Sequence, residues 1–217
     1  MIIWLASYPK SGNTWIRSLL ASYYYSENGE FEFKLLNKIY GFPARKFFRD
    51  YKDSLNSVDD TAKYWIKAQE KINSDNKLRL FKTHNALVSI NNIDFTNKEN
   101  TCGCIYIIRD PRNVITSIKD YYEMDTYEEA QDFMFNKKKV LYEEINSKYT
   151  NFNFLGSWST NYKSWIDNKI FPVLIVKYED LEINPLNVLE KIITFVNDVG
   201  KLKNQFNRNK VINSINN

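Results

Sequence analysis

The sequence is short of the residues on which much protein chemistry depends. Its 217 residues include two cysteines and a single histidine, too few for an ordinary structural zinc site. Cys102 and Cys104 stand two apart in an extended run, where a disulfide would be strained. Both read as small buried or half-buried thiols in a reducing compartment. No apolar run approaches the ~20 residues of a membrane-spanning helix. No signal-peptide pattern precedes the first strand, so the expectation is a cytoplasmic chain without a transmembrane segment. The net charge is only +4, Lys and Glu are interspersed along helical stretches, and no basic stripe follows nucleic acid, which leaves nucleic acid out of the expected partners. No internal repeat is visible.

What is present points to a packed core. Hydrophobic residues make up 43% and aromatics 16% of the chain, and 217 residues suit one α/β domain spanning 1–217 but are short for two. Strands alternate with helices. Apolar runs predict strands at Ile2–Ala6, Leu78–Thr83, within Thr101–Ile108 and at Pro172–Lys177. Helical patterns cover Asn13–Tyr25, most of Phe31–Ser74 with a break at Gly41-Phe42-Pro43, and the stretch from Pro111 through about Lys148. Further helices are expected at Ser157–Asp167, with Trp158 and Trp165 on a core face, and at Pro185–Val196. Strands that are continuously apolar and separated by helices imply a parallel sheet covered on both faces, a three-layer α/β fold. The segment from Gly200 is weakly periodic and reads as a loosely held tail.

Each strand ends in residues able to do chemistry, and in a parallel sheet ligands bind beyond those ends. The first strand runs into Tyr8-Pro9-Lys10-Ser11-Gly12-Asn13-Thr14-Trp15, a tight loop that opens a helix. Free N–H groups at a helix start, the positive end of its dipole and a lysine together suit a phosphate-like anion. The second strand ends in Lys82-Thr83-His84, the third in Arg109-Asp110-Pro111-Arg112 and the fourth in Lys177-Tyr178-Glu179-Asp180. Any one of these ends could be ordinary surface; four on one rim form a site. His84, the only histidine, has an unperturbed pKa of about 6.5 that suits a general base.

Taken together, these motifs resemble the cytosolic-type sulfotransferases. Tyr8–Trp15 is similar to the family's 5′-phosphosulfate loop, with Asn13 where a threonine is usual. The stretch from Arg109 to Ser117 is similar to its 3′-phosphate motif, Lys82-Thr83-His84 to its catalytic strand end, and Lys177–Leu181 to its adenine-side strand end. The resemblance covers residues 1 to about 198 and implies a P-loop-like fold. It also implies transfer of a sulfuryl group from 3′-phosphoadenosine 5′-phosphosulfate (PAPS) to a hydroxyl or amine, with no metal. By this resemblance Lys10 neutralises the leaving phosphate, while Ser11, Gly12, Asn13 and Thr14 hold the 5′-phosphate. Trp15 and Tyr178 meet the adenine, and Arg109 and Ser117 hold the 3′-phosphate. His84 takes the acceptor proton, and Lys82 helps stabilise the transition state.

The resemblance stops short at the carboxyl end. The family's Arg-Lys-Gly-x-x-Gly segment has no match after Gly200, so part of the cofactor lid is expected to be missing, replaced or supplied by another subunit. The family's dimerisation segment is not recognisable either, and an oligomer stays possible but not readable. Phe31, Phe33, Tyr40, Phe42, Phe47, Phe48, Tyr51, Tyr64 and Trp65 lie in the region from which the family draws its acceptor pocket. Helix packing explains most of them, and a small-molecule, lipid or carbohydrate acceptor all remain open. Two other classes stay in view. One is a nucleotide kinase or NTPase, although Gly-x-x-x-x-Gly-Lys-[Ser/Thr] is absent because Lys10 precedes Gly12. The other is a catalytically weak nucleotide-binding scaffold.

Overall fold

Ile2, Ile3, Trp4, Leu5 and Ala6 are all fully buried, which only a strand in the middle of a doubly covered sheet can achieve. The computed structural model describes residues 1–51, 57–145, 148–203 and 206–216. In chain order its elements are β1 (Ile2–Ser7), α1 (Asn13–Tyr25), β2 (Tyr40–Gly41), α2 (Val58–Ala62), α3 (Trp65–Asn73), β3 (Arg79–Thr83), β4 (Ser89–Ile90), β5 (Ile93–Asp94), β6 (Thr101–Ile108), α4 (Pro111–Tyr121), α5 (Tyr127–Phe135), β7 (Val140–Ile145), β8 (Lys148–Phe154), α6 (Trp158–Ile166), β9 (Val173–Lys177), α7 (Tyr178–Ile183), α8 (Pro185–Gly200) and α9 (Arg208–Asn216). Short 3₁₀ segments at Phe33–Lys38 and Arg45–Phe48 flank β2.

The main sheet has the order β2-β3-β1-β6-β9 and is parallel throughout. Side chains alternate across it with the period of two expected of strands. On one face Ile3, Leu5, Leu80, Ile105 and Ile107 pack against Ile16 and Leu20 of α1 and Leu189, Ile192 and Val196 of α8. On the other, Ile2, Trp4, Phe81, Cys104 and Tyr106 pack against Trp65 and Ala68 of α3 and Trp165 of α6. This is the three-layer parallel α/β architecture that the pattern predicts, with a P-loop-like connection after β1. Ala6 is level with Thr83 and with Tyr106, and Ile108 with Lys177, so the chemically equipped ends of four strands finish on one rim.

The structure differs from the sequence-based expectation in several places. A fifth strand, β2, adds two residues at the β3 edge. The stretch from Phe31 to Ser74 is two 3₁₀ segments, that strand and two short helices rather than mostly helix; its residues 52–56 lie outside the described residues. The helical expectation through Lys148 fails after Phe135, where β7 and β8 pair as an antiparallel hairpin; residues 146–147 lie outside the described residues. Beyond Gly200, where the tail's residues 204–205 and 217 also lie outside, the chain forms α9 against α1. Val211 is fully buried there, and Lys210 Nζ donates to Tyr23 O (3.2 Å) and Ser26 O (2.7 Å). Within α6 Trp165 is fully buried, but Trp158 is only half-buried, its ring centroid 4.8 Å from that of Tyr162.

Candidate active site

The loop from Ser7 to α1 is shaped by two left-handed residues. Lys10 has φ 65° and Gly12 has φ 91°; this backbone region is uphill by about 1–2 kcal/mol for a residue with a Cβ. Gly12 has a second reason to be glycine, since a Cβ there would stand 2.3 Å from the Tyr178 ring. Side chains of Asp110, Thr126, Ser157 and Asn184 cap α4, α5, α6 and α8, but none caps α1. Its first-turn N–H groups and dipole are left for a ligand. Ser11 Oγ is buried with no partner among the described residues.

A cavity of about 880 Å³ opens beyond the strand ends, at the large end of small-molecule sites. It is lined by Lys10, Gly12, Asn13, Thr14, Trp15, Lys82, His84, Arg109, Ser117 and Tyr178. The structure thus brings together ten of the eleven residues singled out from sequence, and Ser11 lies buried in the loop between them. Asn13 takes a different part from its neighbours. Its side-chain amide points back into the fold, donating to Leu5 O at 3.0 Å and Ser7 Oγ at 3.1 Å, so toward a ligand it offers backbone alone.

Arg109 Nη1 donates to Lys10 O at 3.0 Å, and its guanidinium lies 4.2 Å from the centre of the Tyr178 ring. This clamps the ends of β6 and β9 to the loop after β1, while Arg109 Nε is buried with no partner among the described residues. Trp15 meets Tyr178 edge-on, with centroids 5.8 Å apart. Lys10 Nζ lies 3.9 Å from the centre of the Tyr121 ring. Pro111 starts α4 behind the Asp110 cap, which fixes the helix that carries Ser117 to the cavity. Arg112 is turned out to solvent and paired with Asp110 at 2.5 Å.

His84 is held from several directions. Its Nδ1 lies 2.8 Å from Ser7 O and 3.3 Å from Ser7 Oγ. A carbonyl oxygen can only accept, so Nδ1 carries the proton and Nε2 keeps its lone pair. Asn161 Nδ2 donates to His84 O at 3.1 Å and to Leu155 O at 2.9 Å, while Tyr106 Oη donates to Asn161 Oδ1 at 2.8 Å. Burial, then the Lys82 charge and more weakly Lys10, push the imidazole pKa down to about 3 against the opposing pull of Ser7 O. The ring is therefore neutral at ordinary pH.

Apart from Phe42, sequence reasoning missed the far side of the cavity. Gly41, Phe42, Pro43, Ala44 and Lys46 line it from β2 and the following turn, Tyr121 and Tyr122 from the end of α4, and Leu141, Tyr142 and Asn153 from the β7–β8 hairpin. Of the nine aromatics from Phe31 to Trp65, Phe42 alone lines the cavity. Phe48 and Trp65 are core, Phe47, Tyr51 and Tyr64 pack against that core, and Phe33 is 82% exposed. The Phe152/Phe154 alternation beside Asn151 and Asn153 was a period-two signal of a strand; nothing in the sequence marked Asn161.

A glycine-bearing loop that opens an uncapped helix, with cations converging from neighbouring parallel strands, defines a P-loop-like α/β protein. The chain belongs to the sulfotransferase family: the model of the sulfotransferase domain matches residues 2–209. It is 27% identical over 196 residues to sulfotransferase 1B1 of Canis lupus familiaris, covering 88% of this chain and 57% of that protein. To sulfotransferase 1 family member D1 of Mus musculus it is 26% identical over 198 residues, covering 89% and 58%. The chain thus spans under three-fifths of the length of these relatives. Among solved structures, mouse sulfotransferase SULT7A1 complexed with PAP superposes with a TM-score of 0.57 at 21% identity, covering 99% of this chain and 61% of that one. Retinol dehydratase in a complex with retinol and PAP gives 0.58 at 14% identity, covering 100% and 64%. At these identities the structural likeness is one of fold.

Proposed function

We propose that this chain transfers a sulfuryl group from PAPS to an acceptor hydroxyl or amine, with His84 as general base and Lys10 as electrostatic catalyst. The observation that carries this reading is the convergence of Lys10, Lys82, His84, Arg109, Ser117 and Tyr178, from four strand ends, on one cavity. The residues fit the donor. The uncapped α1 start and the orphaned Ser11 Oγ suit its 5′-phosphate, the orphaned Arg109 Nε suits its 3′-phosphate, and Trp15 and Tyr178 offer ring surface to its adenine.

Bound there, the donor supplies an activated sulfuryl group, and the chain's residues position and neutralise. Sheet order lays the parts out in sequence: Tyr178 and Arg109 beyond β9 and β6, the anion loop after β1, His84 after β3 and the acceptor wall after β2. The neutral Nε2 of His84 receives the acceptor proton as the acceptor oxygen, or nitrogen, bonds to sulfur. Lys10 would neutralise the negative charge that gathers on the departing phosphate oxygen, and Lys82, on the same cavity, would add positive charge that stabilises the transition state. As in phosphoryl transfer, alignment and charge carry most of the rate. Ser7 is a positioning residue, because its carbonyl sets the tautomer of His84, and Asn13 donates to the Ser7 hydroxyl beside it.

Calorimetry on the chain tests the donor assignment. Tight binding of 3′-phosphoadenosine 5′-phosphate with weak binding of magnesium-ATP is expected. The reverse would establish the NTPase reading, and bisphosphate binding without transfer to any acceptor in a broad panel would establish the scaffold.

A further inference from the structure

The donor accounts for only part of the charge in the cavity. Lys10, Lys46, Lys82 and Arg109 line it, and no Asp or Glu among the described residues does. Lys10 and Arg109 belong to the donor side and Lys82 stands beside the base. Lys46 belongs to neither: it follows β2, at the opposite edge of the sheet from β9 and Tyr178. From the donor, it lies beyond the base.

Lys46 stands over rings instead of beside a carboxylate. Its Nζ is 2.9 Å from the centre of the Tyr40 ring and 4.9 Å from that of Phe47, contacts that hold the flexible stem at the cavity mouth. No ion pair engages it among the described residues. Two more cations act on it. Partial burial, then Arg49 and Arg17, lower its pKa from the usual lysine value. Arg17 has no ion pair among the described residues either. It donates from Nη2 to Leu36 O at 2.5 Å, while its Nε is buried with no partner among the described residues. Lys46, Arg17 and Arg49 carry no ion pair among the described residues, and an anion at Lys46 supplies a counter-charge. The rings of Phe42, Tyr121, Tyr122 and Tyr142 line the same cavity, flat surfaces suited to an aromatic body.

We propose that the acceptor is an anionic one, a hydroxyaryl acid whose hydroxyl meets His84 and whose carboxylate is received by Lys46, with Arg17 and Arg49 behind it. This assignment rests on the sulfotransferase reading and names the substrate class for that same site.

The test is calorimetry on the whole chain loaded with 3′-phosphoadenosine 5′-phosphate, using a panel of hydroxyaryl acids, each paired with its own neutral amide. At least some acids bind about ten-fold or more tightly than their amides, the size of one charge-assisted hydrogen bond. Lys46→Gln brings that preference to within about two-fold and leaves the bisphosphate affinity unchanged, and Lys46→Arg keeps the preference. Acids that bind no better than their amides anywhere in the panel overturn the proposal, as does a Lys46→Gln chain that still prefers them. With the bisphosphate bound in either case, the donor reading survives that failure; a chain that does not bind the bisphosphate at all overturns both.

Discussion

At the β6 and β9 end of the cavity the ligand-facing residues hang from regular elements rooted in the core, and at the β2 end they do not. Arg109 and Tyr178 come from the junctions of β6 with α4 and of β9 with α7, Ser117 from within α4, and Arg109 is tied across to Lys10 O. Opposite them, Gly41 to Lys46 come from a two-residue strand and a single 3₁₀ turn, and Leu141, Tyr142 and Asn153 from a hairpin outside the main sheet. A lone two-stranded hairpin is marginal in water. This one is anchored where Asn85 Oδ1 accepts from Phe154 N and Phe154 O accepts from Ala86 N, both at 2.8 Å. On the proposed reading the donor side is thus an extension of the fold, while the acceptor side is an attachment to it. Substitutions on the acceptor side should alter which molecule is used at little cost in stability, and those on the donor side should affect every acceptor alike.

Four substitutions bring out this contrast, taken from the largest expected effect downward. His84→Ala should slow transfer by about 10²–10⁴-fold while bisphosphate affinity stays within about two-fold; a variant at full rate removes His84 as the base. Lys10→Ala should cost about 10²–10³-fold in the rate of transfer whatever the acceptor, measured in single turnover. Arg109→Ala should weaken 3′-phosphoadenosine 5′-phosphate about ten- to a hundred-fold and adenosine 5′-phosphosulfate much less. Equal losses would put the 3′-phosphate elsewhere. Tyr142→Ala should raise the acceptor KM by about ten-fold or less, with the bisphosphate Kd and the melting temperature nearly unchanged. A large fall in melting temperature would mean that the hairpin is part of the core after all.

The same contrast decides what could be read from the sequence. β1, β6 and β9 are apolar runs that end in charged or polar residues, α4 starts on an Asp-Pro cap, and Tyr8–Trp15 is a contiguous motif; local order carries all of that information. The acceptor side is assembled by tertiary contacts. β2 is too short to show a period, and it exists because Tyr40 and Gly41 pair with Phe81 and Lys82. The hairpin was hidden by Lys137, Lys138, Lys139, Glu143 and Glu144, good helix formers that outweighed the alternation of Phe152 and Phe154. α9 has a weak pattern of its own and gains its place from Val211 and Lys210 docking on α1. The direction of the Asn13 side chain was not legible either: its amide nitrogen reaches back to Leu5 O and Ser7 Oγ, contacts that only the folded loop defines.

His84 also links the site to pH. Its folded pKa lies below the unfolded value, so between about pH 6.5 and about 3 the unfolded chain binds the extra proton. Its contribution to stability is full above that window and is lost as the pH falls through it. His84→Gln should therefore flatten part of the decline in stability on acidification, read from unfolding midpoints between pH 7 and 4.

The central claim, a neutral imidazole with its Nε2 lone pair kept for the acceptor proton, has a direct readout because the chain holds one histidine. Chemical shifts of ¹⁵N-histidine-labelled protein report both nitrogens without assignment. The account predicts a protonated Nδ1 and an unprotonated Nε2, unchanged from pH 8 to about pH 5. A ring that titrates near 6.5, or that carries its proton on Nε2, would contradict it.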